Sequence, residues 1–172
     1  MPYYIQVTFD TEGIKKNHQN ASQNSEKPTE IEGSFCYMVE SSSILTGTSS
    51  NQLTLVKRGA QDTIRLYGAS ASNNFEDAIM IYSVVRESGG QPLKQYSPLF
   101  LKNTSIAPSE NDPLPSNMVP DTSFYFLESK AWFEGKKKHE VSFALYERDD
   151  VGKPSLYGYF KYLAVFHIHR EQ

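Results

Sequence analysis

The sequence predicts an all-β domain: an antiparallel β-sandwich of two packed sheets, joined by long Pro/Ser/Asn-rich crossover loops. Three observations carry this. Residues 122–170 hold three aromatic-rich runs split by two short polar turns. The last run, residues 156–168, alternates throughout, with Leu156, Gly158, Phe160, Tyr162, Ala164, Phe166 and Ile168 on one face and Tyr157, Tyr159, Lys161, Leu163, Val165 and His167 on the other. One apolar and one mixed face at period two is the pattern of a half-buried strand. Aromatic residues make up 13% of the chain, a proportion that suits packing of flat rings on a pleated surface. A closed barrel is the alternative. The long crossovers favour the sandwich, because up-and-down barrels mostly use hairpins.

Taken in order, residues 3–9 alternate, with Ile5, Val7 and Phe9 on one face. The polar stretch 10–33 has no period. Residues 35–39 are a second strand, 41–51 a Ser/Thr-rich loop, and 53–56 and 63–67 two short strands. Residues 68–74 (GASASNN) read as a small-residue loop. Residues 78–85 are apolar on both faces and rich in β-branched residues, which favours a central strand over a buried helix. Residues 86–121 hold six of the nine prolines, which excludes a central strand or long helix and suggests an ordered crossover lying on the sheets. Strands follow at 124–127, 141–146 and 156–168. At 172 residues the chain reads as one domain, residues 1–172, able to bury a core without disulfides.

A net charge of −3 and a pI near 5.8 argue against a general nucleic-acid binder and against a polybasic membrane anchor. The N-terminal residues carry no basic, apolar signal pattern, and no run approaches the ~18 apolar residues of a membrane helix. The expectation is a cytoplasmic protein with no membrane or nucleic-acid partner. Cys36 is the single cysteine, so an intramolecular disulfide and a cysteine-based zinc site are both out of reach.

Candidate chemistry is sparse. Gly68-Ala69-Ser70 follows a strand but lacks the second glycine and the helix of a nucleophile elbow. No phosphate loop or cofactor motif occurs, so no cofactor is expected. Asp149-Asp150-Val151-Gly152 reads as a hairpin turn with solvated acids rather than a calcium loop. Lys136-Lys137-Lys138 reads as a second turn. His167 and His169, two apart on a strand, point the same way and can share a metal. His139 would be a third ligand if the hairpin were regular, and Glu134 a fourth. The plainer reading, two partly exposed histidines on a terminal strand, is the one adopted, with no metal. Cys36 alternates with Phe35 and Tyr37 and reads as a packed thiol, not a nucleophile. Trp132, Tyr157 and Tyr159 are the weak candidates for partner or sugar contact. Packing beneath the Pro-rich crossover is the first reading for them, a protein contact the second and sugar binding the third.

Four blocks point further: FDTEGIKKNHQNASQNSEKPTEIEGSFCYMV (9–39), GAQDTIRLYGASASNNFEDAIMIYSV (59–84), DPLPSNMVPDTSFYF (112–126) and VSFALYERDDVGKPSLYGYFKYLAVFHI (141–168). Their order and content resemble the PixA/AidA inclusion-body protein family of bacteria. The shared features are a first strand ending in Asp-Thr, Asn/Ser/Pro-Thr text before Tyr-Met, an Asp-Thr-Ile-Arg strand and a final Gly-Tyr-Phe strand. One departure stands out. Where the family has a Trp-Asp-Pro element after Gly-Tyr, this chain has Phe160-Lys161-Tyr162-Leu163-Ala164. The resemblance implies a non-enzymatic protein, some of whose relatives accumulate as cytoplasmic inclusions and some of which are linked to host association. It carries no catalytic residue. The reading is therefore a protein acting by self-association, at least a dimer, or by partner contact through an edge strand or the Tyr157/Tyr159 face. A carbohydrate-binding sandwich with a host or glycan ligand is the alternative.

Overall fold

The computed structural model describes residues 2–40, 52–57, 62–87, 95–107, 117–131 and 135–170. Through them run strands β1 (Tyr3–Phe9), β2 (Thr29–Glu30), β3 (Cys36–Glu40), β4 (Gln52–Lys57), β5 (Thr63–Ser70), β6 (Asp77–Arg86), β7 (Ser97–Ala107), β8 (Asn117–Lys130), β9 (Gly135–Arg148) and β10 (Pro154–Arg170). A helix α1 of about two turns (Thr11–Asn17) and a 3-10 turn (Gly33–Phe35) complete the set. One sheet has the order β3-β1-β5-β8-β7. The other has β2-β10-β9-β6, with β4 also pairing β10 further along the strand. The two pack face to face as a sandwich.

The sheets are mixed, not purely antiparallel. β1 runs parallel to β5, and β10 runs parallel to both β2 and β4. The long polar segments supply the reason. A parallel pair needs a crossover of a dozen or more residues, and more than that separates β1 from β5. Antiparallel hairpins dominate only in the second half, where β6, β9 and β10 pair in succession around the turn at Asp149–Gly152. There the Asp149 carboxylate accepts from the amides of Val151 (3.1 Å) and Lys153 (2.8 Å), and Gly152 takes a φ of +77° that a side chain would resist.

The core forms where the inner faces meet. Ile5, Val7 and Phe9 of β1 and Ile64 and Leu66 of β5 face Val141, Phe143 and Leu145 of β9 and Phe160, Tyr162, Ala164, Phe166 and Ile168 of β10, all essentially inaccessible. The period-two reading of β9 and β10 thus assigns the buried face correctly. Phe9 sits 4.2 Å from Phe143, and Phe143 stacks on Phe160 at 5.6 Å.

Several local expectations change. The stretch 10–33 is not featureless: Asp10 caps α1 by accepting from the Gly13 amide at 3.0 Å, and β2 docks onto β10. β5 continues through Ser70, so the turn is confined to residues 71–74, where Asn73 and Asn74 both adopt positive φ. Lys136, Lys137 and Lys138 belong to β9, paired with His167, Phe166 and Val165 respectively, and do not form a turn. The Pro-rich stretch holds β7 and the start of β8. Pro98 is tolerated because β7 is an edge strand with one side open. Pro120 and Asp121 fall in the register shift opposite Thr104, where no ladder donor is needed. The alternation of β10 also breaks once: a register shift between Leu156 and Gly158 makes Tyr157 the extra residue of a bulge. The Ser/Thr-rich loop at 41–51 lies outside the described residues.

The second feature that shapes the surface is the hairpin of β7 and β8. β8 pairs β5 only over Leu127–Lys130, whereas it pairs β7 all the way to Asn117. Residues 117–126 therefore leave the sandwich as a two-stranded arm, roughly 30 Å long at ~3.4 Å per residue.

Gly158 marks the tightest approach on the other sheet. A Cβ there would overlap the Ala21 side chain of the loop that crosses β10. Gly158→Ala is expected to lower stability by about 1–3 kcal/mol in urea denaturation, by overpacking. Adding Ala21→Gly should restore most of the loss. An additive double variant would show that the contact is not the cause.

Candidate functional site

The sequence placed its candidates on the terminal strand, and the structure disperses them. Tyr157 is half-buried in the bulge, its ring stacked parallel to Phe160 and its hydroxyl donating to the carbonyls of Lys15 (3.3 Å) and His18 (3.2 Å) at the end of α1. Tyr159 pairs edge-to-face with Tyr82 at 5.7 Å, and its amide donates to Ser22 O at 2.8 Å. Tyr82 in turn donates to Ser25 O. The loop after α1 thus straps the outer face of β10, and the hydroxyl of Tyr157 serves the helix end. Packing, the first of the three sequence readings, accounts for both tyrosines, although the covering segment is this loop and not the Pro-rich crossover. Trp132 and Glu134 lie outside the described residues.

His139 does not converge on His167. His139 pairs with Ala164, whose face is the core, while His167 pairs with Lys136 on the outer face. His139 cannot be a third ligand beside His167, because alternation sets them on opposite sides of the sheet. The side chain of His169 lies outside the described residues. Among the described residues no group of three or more His, Cys, Asp and Glu is gathered to hold a metal ion. His139 is instead a core histidine, 3% exposed, with its ring edge-on to Phe166 at 5.0 Å and Nδ1 without a partner. Burial holds its pKa down, from 6.5 to about 4, against a hydrogen bond with the Lys137 backbone, and the neighbouring Arg86 charge acts in the same direction as burial. Cys36 is wholly buried, and burial alone pushes its thiol well above the usual range. A thiol so held is not a nucleophile.

What sequence reading missed is a cleft of about 720 Å³ at the root of the β7–β8 arm. It opens where β8 parts from β5. Tyr4, Tyr67 and Phe126 form one wall, Ile79 and Ile81 of β6 the floor, and Phe100 and Phe124 of the arm the rim. Phe126 meets Tyr4 and Tyr67 edge-to-face, each at 5.5 Å. The lining carries no charged side chain. Three of its polar side chains are committed within the chain: Arg65 donates to Tyr4 Oη at 2.7 Å, Tyr67 donates to Gln6 Oε1 at 3.0 Å, and Asn74 Oδ1 accepts from the amides of Ser70 and Ile79. Ser123 and Tyr125 add two hydroxyls from the arm. The only sequence signal was the cluster Phe124-Tyr125-Phe126. Its partners come from strands far apart in the chain.

The cleft is lined by no charged side chain, histidine or cysteine. Comparison with known proteins supplies the classification. The profile of the PixA family, described as inclusion body protein, matches residues 4–168. The chain belongs to the PixA inclusion body protein family. A crystal structure of a PixA inclusion body protein from Burkholderia cenocepacia has the same fold, with a TM-score of 0.80 and 27% sequence identity over 98% of this chain and 95% of that one. A search of curated proteins finds no match. PixA membership agrees with the resemblance that the four sequence blocks carry. In this member the Asp10-Thr11 pair forms the cap and first residue of α1. Among the described residues no helix is long and apolar enough to cross a membrane.

The buried His139 sets a pH dependence. Its folded pKa lies below the unfolded value, so the unfolded chain takes up the proton first as the pH falls. The neutral histidine is fully accommodated above about pH 6.5, and stability is lost progressively from there toward pH 4. In thermal denaturation across this window, His139→Phe is expected to show a shallower decline than the parent. Equal slopes would assign the acid sensitivity to carboxylates instead.

Proposed function

We propose that this PixA family member is a non-enzymatic cytoplasmic protein that acts by associating with copies of itself. The observation that carries the reading is a surface rich in apolar groups and open strand edges on a chain with little net charge. Phe100, Ile106, Met118 and Phe124 stand exposed on the arm, and β7 and β3 are edge strands of the first sheet, Tyr37 and Val39 of β3 being exposed as well. Unpaired edges and contiguous apolar surface are the ordinary determinants of β-rich assembly. With a net charge of −3, long-range repulsion between copies is weak. The family description as inclusion body protein supports the same direction, since an inclusion is a dense body of one protein. The carbohydrate reading loses its motive, because Tyr157 and Tyr159 are engaged with the loop after α1.

Sedimentation equilibrium of the full chain from micromolar to millimolar concentration tests the proposal. A weight-average mass rising to at least twice 19.5 kDa is expected. A constant monomer mass would overturn it. Sugar-dependent thermal shifts, run in parallel, are expected to be absent.

A further inference from the structure

We infer that the β7–β8 arm is the self-association element, and that two copies dock around a two-fold axis with the arm tip of each lying over the arm-root cleft of the other. This rests on the self-association reading and specifies its surface.

Three observations select a second copy as the occupant. The first is area. Phe100 is 74% exposed, Ile106 73% and Met118 81%, and Val119 and Phe124 are about 40% exposed. The pairing puts Phe100, Ile106 and Met118 on one face of the arm and Val119 and Phe124 on the other. An aromatic side chain alone buries about 150–250 Å², so the three of the first face offer on the order of 300 Å² per arm. Two-fold symmetry uses each arm once, and each covers an equal area of wall. The total is roughly 1,200 Å², at the lower end of the ~1,200–2,000 Å² of specific interfaces. The second is charge. The cleft lining is uncharged, so it sets no charge against the arm, whose described residues bear one charge of each sign, Lys102 and Asp121. The third is the state of the polar atoms. A pocket for a small molecule needs a few convergent polar groups to orient it. Here Tyr4, Tyr67 and Asn74, which form the wall and floor side, are engaged within the chain, and the hydroxyls of Ser123 and Tyr125 both belong to the arm itself. The recess therefore suits apolar side chains, such as those of Ile106 and Met118, more than a polar ligand. An isologous contact of this kind closes on itself as a dimer and leaves the other sheet edges free for further packing.

Sedimentation velocity of the full chain is compared for the parent, Ile106→Asp/Met118→Asp and a control, Val151→Asp, an exposed residue of the β9–β10 turn that does not line the cleft. The tip variant is expected to weaken dimerisation by at least about 100-fold with an unchanged far-UV spectrum, the control by less than threefold. A tip variant that dimerises like the parent overturns this surface while leaving self-association standing. A parent that stays monomeric overturns both. As a second measurement, Ile106→Cys/Phe124→Cys is oxidised in dilute solution. Six residues of strand separate Ile106's partner Met118 from Phe124, about 20 Å, too far for a bond within one arm. A covalent dimer is expected. Free thiols on a monomer, or a small apolar molecule retained in the cleft by native mass spectrometry, would count against the docking.

Discussion

Everything in this molecule depends on the contact between Phe9 and the aromatic row of β9 and β10. Phe9 is the last residue of β1, and it lies within 4.2 Å of Phe143 and 5.9 Å of Tyr162, in the middle of the opposing sheet. The next residue, Asp10, turns the chain into α1, whose Ile14 is buried in the same core. One contact therefore fixes the distance between the sheets, the start of the helix and the position of the loop that follows. Each ring removed from water there contributes a few kcal/mol, and the rings interlock at edge-to-face and stacked geometries that add to the burial.

The long pairing of β9 with β10 gives that core its width. β10 is the hub of the second sheet: β9 lies along one edge, and β2 and β4 divide the other. One of those neighbours, β2, comes from a segment that looks structureless by itself. It is held as a strand because β10 presents an open ladder, not because its own sequence demands it. Ion pairs decorate this frame without deciding it. Lys161 with Glu140 and Arg65 with Glu128 are surface pairs of the kind that contribute little, whereas Lys15 with the nearly buried Asp77 at 2.8 Å ties α1 to the start of β6.

The arm is the part of the fold that the core does not require. β8 serves the first sheet for four residues and then spends the rest of its length pairing β7 alone. A ribbon of this length would be marginal alone in water, and its exposed faces carry phenylalanine, isoleucine and methionine. The cleft at its root exists because β8 turns away from β5. Arm and cleft are thus two consequences of one divergence, which is why they occur together.

The sequence by itself determined the class of fold, the buried faces of β9 and β10 and the strand at Tyr3–Phe9, because side-chain alternation is a local property that the backbone pleat reads directly. It also determined the family, through the order of four blocks. It could not show the parallel pairings, since a partner strand leaves no mark on local pattern, nor that β7 is a strand, since its Pro98 is harmless only at an edge. The same limit applied to the candidate site. His139 and His167 look like neighbours along a hairpin, but register puts them on opposite faces. Tyr157 and Tyr159 look like a contact surface, but a loop well over a hundred residues earlier in the chain covers them. The apolar cleft draws its walls from β1, β5, β6, β7 and β8. Local pattern decides which face of a strand is wet or dry; only the assembled sheets decide what that face meets.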